Sequence, residues 1–437
     1  MIHYARAMPP AHDGSRWAPP SYVRVWLLFV FAWIVNYLVR MGFAALLPAI
    51  IADLALSYTA AGVLASVFFV TYALVQFPAG LLGDRFGRRR VLLLGLLVGA
   101  VAGAATGLAG SFAGLLAARA ATGLAQGCLF ANDRAIIAAV TPPARMALGQ
   151  AVSFTGPGLG LALGLLVGGL LGDAMPWQQA FVVAAAPSLV AALLIWRFVP
   201  APPPTPARAP LLRRLGTVAT HGDLWRLALP GFAVMWVQYV LATWAPLLFR
   251  EAGVTDLGRA GLYASLVGLG GVGGLLLGGW LGDRAARAGW GQRAAVLGHL
   301  AAVSASMTAL ALVVEYAPTV PTLAPALVLV SLAAWGVWGP SFALLGTRFA
   351  GPDLATAFGL YNTACAAGAF VGPALTGWAR DVTGSFAAGC AVAAAVAVLA
   401  LAGARSLPAP ARPAPRARLG SRGEAGGPSD RPDNRPV

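Results

Sequence analysis

The spacing of charges constrains this chain more than any other feature. No Asp, Glu, Lys or Arg lies between Asp53 and Asp84, or within 91–118, 146–172, 174–196, 227–249, 260–282, 316–347, 354–379 or 382–404. A helix needs about 20 predominantly apolar residues to cross a bilayer, and each stretch supplies at least that length. Two more candidates are interrupted once, 25–51 by Arg40 and 294–314 by His299, and 91–141 is long enough that it must fold back as two passes. In lipid every backbone polar group must be bonded internally, so the passes are helices. The expected fold is an all-α membrane protein with twelve transmembrane helices in two pseudo-symmetric six-helix halves.

Composition agrees with the charge map and removes other classes. The 437 residues are 59% hydrophobic and only 10% charged, against about 25% charged in ordinary soluble domains. The formal charge of +15 does not point to nucleic acid, because the basic residues are scattered between apolar blocks and form no single face. All 30 of them are Arg, which reads as genomic composition. Cys128, Cys365 and Cys390 stand singly in apolar stretches, without metal-ligand or disulfide spacing, and read as small packing residues. The polar, Pro-rich start shows no cleavable leader, and no phosphate-cradling loop points to ATP drive. Neither a cofactor nor a metal is expected, and no enzymatic activity.

Loop charges orient the passes. One set of loops holds Arg85, Arg88, Arg89, Arg90, Arg145, Arg197, Arg208, Arg213, Arg214, Arg284, Arg287, Arg293 and Arg348, and the opposite set only Arg250, Arg259 and Arg380. By the positive-inside rule both termini are cytoplasmic, in the inner membrane of a cell. The expected division is a cytoplasmic tail over 1–21, a first half over 22–199, a Pro- and Arg-rich cytoplasmic linker over 200–222, a second half over 223–406 and a disordered cytoplasmic tail over 407–437. GLLGDRFGRRR around Asp84 and GWLGDRAARAG around Asp283 follow the second and eighth passes, which marks a parallel internal repeat.

Several residues are candidates for mechanism. In the loop after the second pass, Gly87 permits a tight turn while Asp84 can pair with Arg85 or Arg88 in one conformation and release them in another, a gating arrangement. Asp283 and Arg284 form the second copy. In the fourth pass Arg119, Gly123 and Gly127 recur at four-residue intervals; the glycines smooth a packing face, and Arg119 reads either as a coupling residue or as an interfacial anchor. Asp133 and Arg134 read as a structural ion pair, with Asp133 as a proton carrier the functional alternative. Arg40 falls near the bilayer midplane, where a guanidinium needs an anion: a substrate carboxylate or phosphate, or a permanent partner such as Asp133. Asn36, Tyr37, Gln238, Tyr239 and Asn362 are the polar residues expected around it.

The loop Gly80-x-x-x-Asp84-Arg85-x-Gly87-Arg88-Arg89 resembles the signature of the major facilitator superfamily, and the Arg119 run resembles that superfamily's fourth-helix pattern. More narrowly, NYLVR with Pro48, PWQQAF around Trp177, YVLATWAP from Tyr239 and the run from Gly359 through Asp381-x-Thr383-Gly384-Ser385-Phe386 resemble the anion:cation symporters across about residues 22 to 405. That resemblance implies transport of a small organic anion, a carboxylate or sugar acid, with protons or with sodium as the alternative ion. Val39 stands where that family carries an Asp. Tyr37-Leu-Val-Arg40 is similar to the related organophosphate:phosphate antiporters, but Gln238 replaces their second arginine, so a single cation suits a monovalent anion. The reading is proton-coupled uptake by a monomer working in the lipid bilayer. The alternative, drawn from Gly156-Pro157, is proton-driven efflux of drugs or metabolites.

Overall fold

The computed structural model describes residues 21–142, 145–201, 211–349 and 352–407. The first half consists of α1 (Ser21–Leu54), α2 (Tyr58–Phe86), α3 (Arg88–Gly107), α4 (Phe112–Val140), α5 (Met146–Ala174) and α6 (Trp177–Phe198). A short α7 (Leu211–Ala219) precedes the second half, made of α8 (Gly222–Glu251), α9 (Leu257–Arg287), α10 (Gly291–Tyr316), α11 (Val320–Trp335), α12 (Trp338–Arg348), α13 (Pro352–Thr383) and α14 (Ala387–Ala404). Helices α11 and α12 are one pass broken at Gly336 and Val337, so the described residues make twelve passes, six in each half. The expected tails over 1–20 and 408–437, and linker residues 202–210 with Arg208, lie outside the described residues.

Local chemistry sets the helix boundaries. Ser57 and Ser111 cap α2 and α4 by accepting from the backbone N–H groups of Ala60 and Gly114, which satisfies donors that the first turn cannot bond. Gly87, at φ +98°, turns the chain directly from α2 into α3, a conformation costly for any residue with a Cβ. At the α11–α12 break, a Cβ on Gly336 would run into the ring of His299. The lone histidine of the ninth pass is therefore packed against the interruption of the tenth.

The exterior is apolar and the interior carries the polar groups, the reverse of a soluble protein. Val101, Leu276 and Leu399 are 70%, 72% and 67% exposed, while Arg40, Arg119, Gln126, Asn132 and Asp133 are buried. Such a belt is stable only against lipid.

Two pairs of passes hold the halves together, α5 with α9 and α2 with α13. Small residues let these backbones touch: a Cβ on Gly62 of α2 would lie 2.6 Å from the Pro373 carbonyl of α13. The two pairs are related by the internal repeat, since each joins the second pass of one half to the fifth pass of the other. Between them lies a cavity at the middle of the bundle.

Candidate functional site

The cavity encloses about 700 Å³ of empty space, part of it open to solvent. Arg40 of α1 is its charged wall. The Arg40 guanidinium sits 4.4 Å from the ring centre of Tyr37, 4.6 Å from that of Phe68 and 4.7 Å from that of Tyr72. Its Nε donates to Gln126 Oε1 at 3.2 Å, and Gln126 Nε2 donates to the Asn36 carbonyl at 3.1 Å. Gln126 thus clamps α4 to α1 and fixes the direction of the fork. Nη2 of Arg40 is buried without a partner. Aromatic faces stabilise a cation through the ring quadrupole, but they supply no compensating charge.

The structure excludes Asp133 as the permanent partner of Arg40. Asp133 accepts from Arg134 at 2.9 and 3.1 Å and from Trp33 Nε1 at 2.7 Å, while Arg134 also reaches the backbone and side chain of Gln150. Its carboxylate is therefore occupied. Trp33 nevertheless lines the cavity and so connects it to Asp133. Arg119 is buried against Phe43 and Phe68, with ring centres 4.3 and 4.9 Å away, and its Nη1 is unpartnered. Arg40 and Arg119 thus share Phe68, and neither belongs to an ion pair among the described residues. Two uncompensated cations in the apolar interior create a strongly anion-seeking field.

Of the residues expected around Arg40, Tyr37, Gln238, Tyr239 and Asn362 line the cavity. Asn36 does not: its side-chain amide donates to the Ala32 carbonyl of its own helix at 3.0 Å. It stands one turn before Arg40 on the same face, but its amide turns back onto its own helix and the residue contributes through its carbonyl. Tyr239 packs on Phe69 across the two halves, with ring centres 4.0 Å apart, and Asn362 donates to Gln76 of the other half at 2.8 Å. Sequence reading missed Phe69, Tyr72, Phe130, Met235 and Phe342, all lining residues, and the clamp Gln126. A usable signal existed for Gln126, because Arg119, Gln126 and Asp133 recur every seven residues and so share one face of α4. Trp335 and Trp338, on either side of the α11–α12 break, also form cavity wall.

The signature loop lies away from the cavity. Asp84 pairs with Arg88 one turn on, Arg89 donates to the Val199 carbonyl at 2.8 Å, and Arg85 stacks on Phe86. In the second copy Asp283 and Arg284 are exposed and belong to no described ion pair, with Arg284 over Trp280.

Twelve passes in two repeated halves around a central, partly open cavity define a membrane transporter and not an enzyme. The description of the Major Facilitator Superfamily matches residues 29–373, and the chain belongs to that family. Among curated proteins it is 25% identical to a hexuronate transporter of Bacillus subtilis over 82% of this chain and 88% of that protein. It is 29% identical to a gallate transporter of Pseudomonas putida over 56% of this chain and 61% of that one. Among solved structures, a bacterial homolog of the human lysosomal transporter Spinster superposes with a TM-score of 0.74 at 18% identity, covering 89% of this chain and 97% of that one. A POT family transporter in complex with 5-aminolevulinic acid superposes with a TM-score of 0.72 at 13% identity, covering 87% and 95%. These structural likenesses concern the fold.

Proposed function

We propose that this transporter moves a small carboxylate-bearing organic anion inward across the inner membrane by alternating access, as a monomer coupled to protons. The observation that carries the reading is Arg40: a buried guanidinium on the wall of the central cavity, with Nη2 unpartnered and no carboxylate beside it. A buried cation in that condition is stabilised by the arrival of an anion, and its planar fork matches a carboxylate. The acids named for the two relatives fall in that class.

The rest of the assignment follows the chain's charges. The loops rich in arginine face the cytoplasm, with the halves at 22–199 and 223–406 joined by the 200–222 linker. In this reading Asp133 is the proton carrier, supported by its bond from Trp33, which lines the cavity. Sodium is the alternative coupling ion. The loop at Asp84 and Arg88 serves gating. An export reading draws on the aromatic wall and the Gly156-Pro157 bend, and it predicts binding of apolar cations that is indifferent to Arg40.

Thermal stabilisation of the detergent-purified protein by carboxylates, phosphate and cationic dyes, with and without Arg40→Ala, separates these readings. Stabilisation by carboxylates that disappears in the variant is the expected result. Stabilisation by cations alone overturns the anion reading.

A further inference from the structure

Resting on the anion reading above, we infer that the cargo is a planar aromatic monocarboxylate, held at its carboxylate by Arg40 and at its ring between the two halves. Three observations converge on this class. The first is charge count. Arg40 is the only cation on the cavity wall among the described residues, because Arg119 lies behind the ring of Phe68. A dicarboxylate or a phosphate dianion would bring a second negative charge into an apolar enclosure whose wall offers no second cation to contact it.

The second is the character of the remaining wall. Trp33, Phe69, Tyr239, Trp335, Trp338 and Phe342 present rings from both halves, and aromatic rings favour offset-stacked or edge-on contact with another ring. Besides Arg40 and the indoles, the polar groups on the wall are the hydroxyls of Tyr37, Tyr72 and Tyr239 and the amides of Gln238 and Asn362, and the Asn362 amide is already engaged with Gln76 at 2.8 Å. A sugar acid would carry several hydroxyls into this enclosure. Each one left unpaired weakens binding by about tenfold. A flat ring fills the same space without that loss.

The third is the polarity of what is left over. On lining residues, the buried polar atoms without partners are Nη2 of Arg40, Nε2 of Gln238 and Nε1 of Trp335, the last packed against Gly271 of α9. All three are N–H donors, and Arg and Trp can only donate. With Trp335 turned to Gly271, the donors left for a ligand are Arg40 of the first half and Gln238 of the second. The matching ligand is acceptor-rich at both ends: a carboxylate toward Arg40 and a ring oxygen toward the second half.

The test is equilibrium binding to the detergent-purified full chain, read by quenching of cavity tryptophans and by melting temperature. The probes are 4-hydroxybenzoate, benzoate, cyclohexanecarboxylate, glucuronate and malate. The expected order places 4-hydroxybenzoate first, with cyclohexanecarboxylate and glucuronate at least about tenfold weaker. In Trp338→Leu the gap between benzoate and cyclohexanecarboxylate shrinks to about threefold or less, and Tyr239→Leu serves as the second wall variant if the first does not fold. Arg40→Ala removes binding of every acid. Tightest binding of glucuronate or malate, still dependent on Arg40, overturns the aromatic inference and leaves the anion reading standing. Binding indifferent to Arg40 overturns both. No binding of either benzoate by a protein with a normal melting transition also overturns the aromatic inference.

Discussion

The two ends of the bundle are held in different ways. At the end opposite the arginine-rich loops, the halves are joined by carboxylates that cap helices of the other half. Asp173, at the end of α5, accepts from the backbone N–H groups of Leu257 and Gly258 at 2.8 and 2.7 Å, the first two residues of α9. Asp381, near the end of α13, accepts from Tyr58 and Thr59 at 3.0 and 2.7 Å, the first two residues of α2. These are equivalent positions in the internal repeat, and both carboxylates complement the orphan donors and positive end of a helix. At the arginine-rich end the described ion pairs stay within one half: Asp84 with Arg88, Asp133 with Arg134, Asp223 with Arg348. The described side-chain bond between halves that lies nearest that end is Asn362 to Gln76.

The difference identifies the conformation. Bonds that cross the halves hold the far end shut, so the cavity belongs to a state closed on the far side, while the described ion pairs at the arginine-rich end do not tie the halves together. Opening toward the far side requires both carboxylate caps to release together.

Removing both caps is the severest way to break the comparison. Both carboxylates are exposed, so solvent screening limits each to about 1 kcal/mol, and Asp173→Ala with Asp381→Ala should shift the ratio of far-open to far-closed states about thirtyfold. Spin labels on cysteines placed at Gly110 and Pro318, in far-end loops of opposite halves, would show the longer distance becoming dominant; an unchanged distribution would remove the caps from any gating role. The single Asp381→Ala is next, with an expected shift of about fivefold, since the Asp173 cap remains. Thr59→Val keeps the backbone bonds to Asp381 but deletes the hydroxyl that also donates to it, and about twofold is expected from one exposed hydrogen bond. The smallest effect belongs to Asp84→Ala. Its pair with Arg88 lies within one half in this state, so the same label pair should report less than a twofold change. A larger response there than at Asp381 would reverse the comparison.

The glycine contact between α2 and α13 offers a steric version of the same test. Gly62→Val would place a branched side chain against the Pro373 carbonyl, and overpacking of that kind costs about 1–3 kcal/mol. The expected result is a lowered melting temperature together with far-end separation in the spin-label measurement.

Most of the architecture was legible because membrane insertion is a local property. Hydropathy and charge add up over a window of neighbouring residues, so the twelve passes, the repeat and the interruption of the first helix at Arg40 could be read in order along the chain. The interruption of the tenth pass at Gly336 and Val337 was not visible in the charge map, because the stretch 316–347 is uncharged throughout. In the sequence Asp173 only bounds two apolar stretches, and Asp381 stands in the run that resembles the anion:cation symporters. Nothing nearby in sequence revealed that each caps a helix more than 80 positions away in one case and more than 300 in the other.

By itself, the sequence determined the class of protein, the number of passes and the presence of a cation within the first helix. Tertiary structure decided which groups satisfy one another. It gave Asp133 to Arg134 and Trp33, left Arg40 and Arg119 without carboxylates, turned Asn36 onto its own helix and assembled an aromatic wall from residues scattered between Trp33 and Phe342. The reason is geometric. Burial in lipid depends on local composition, whereas pairing depends on how separate helices rotate and cross, and those angles are fixed only when all the passes pack together.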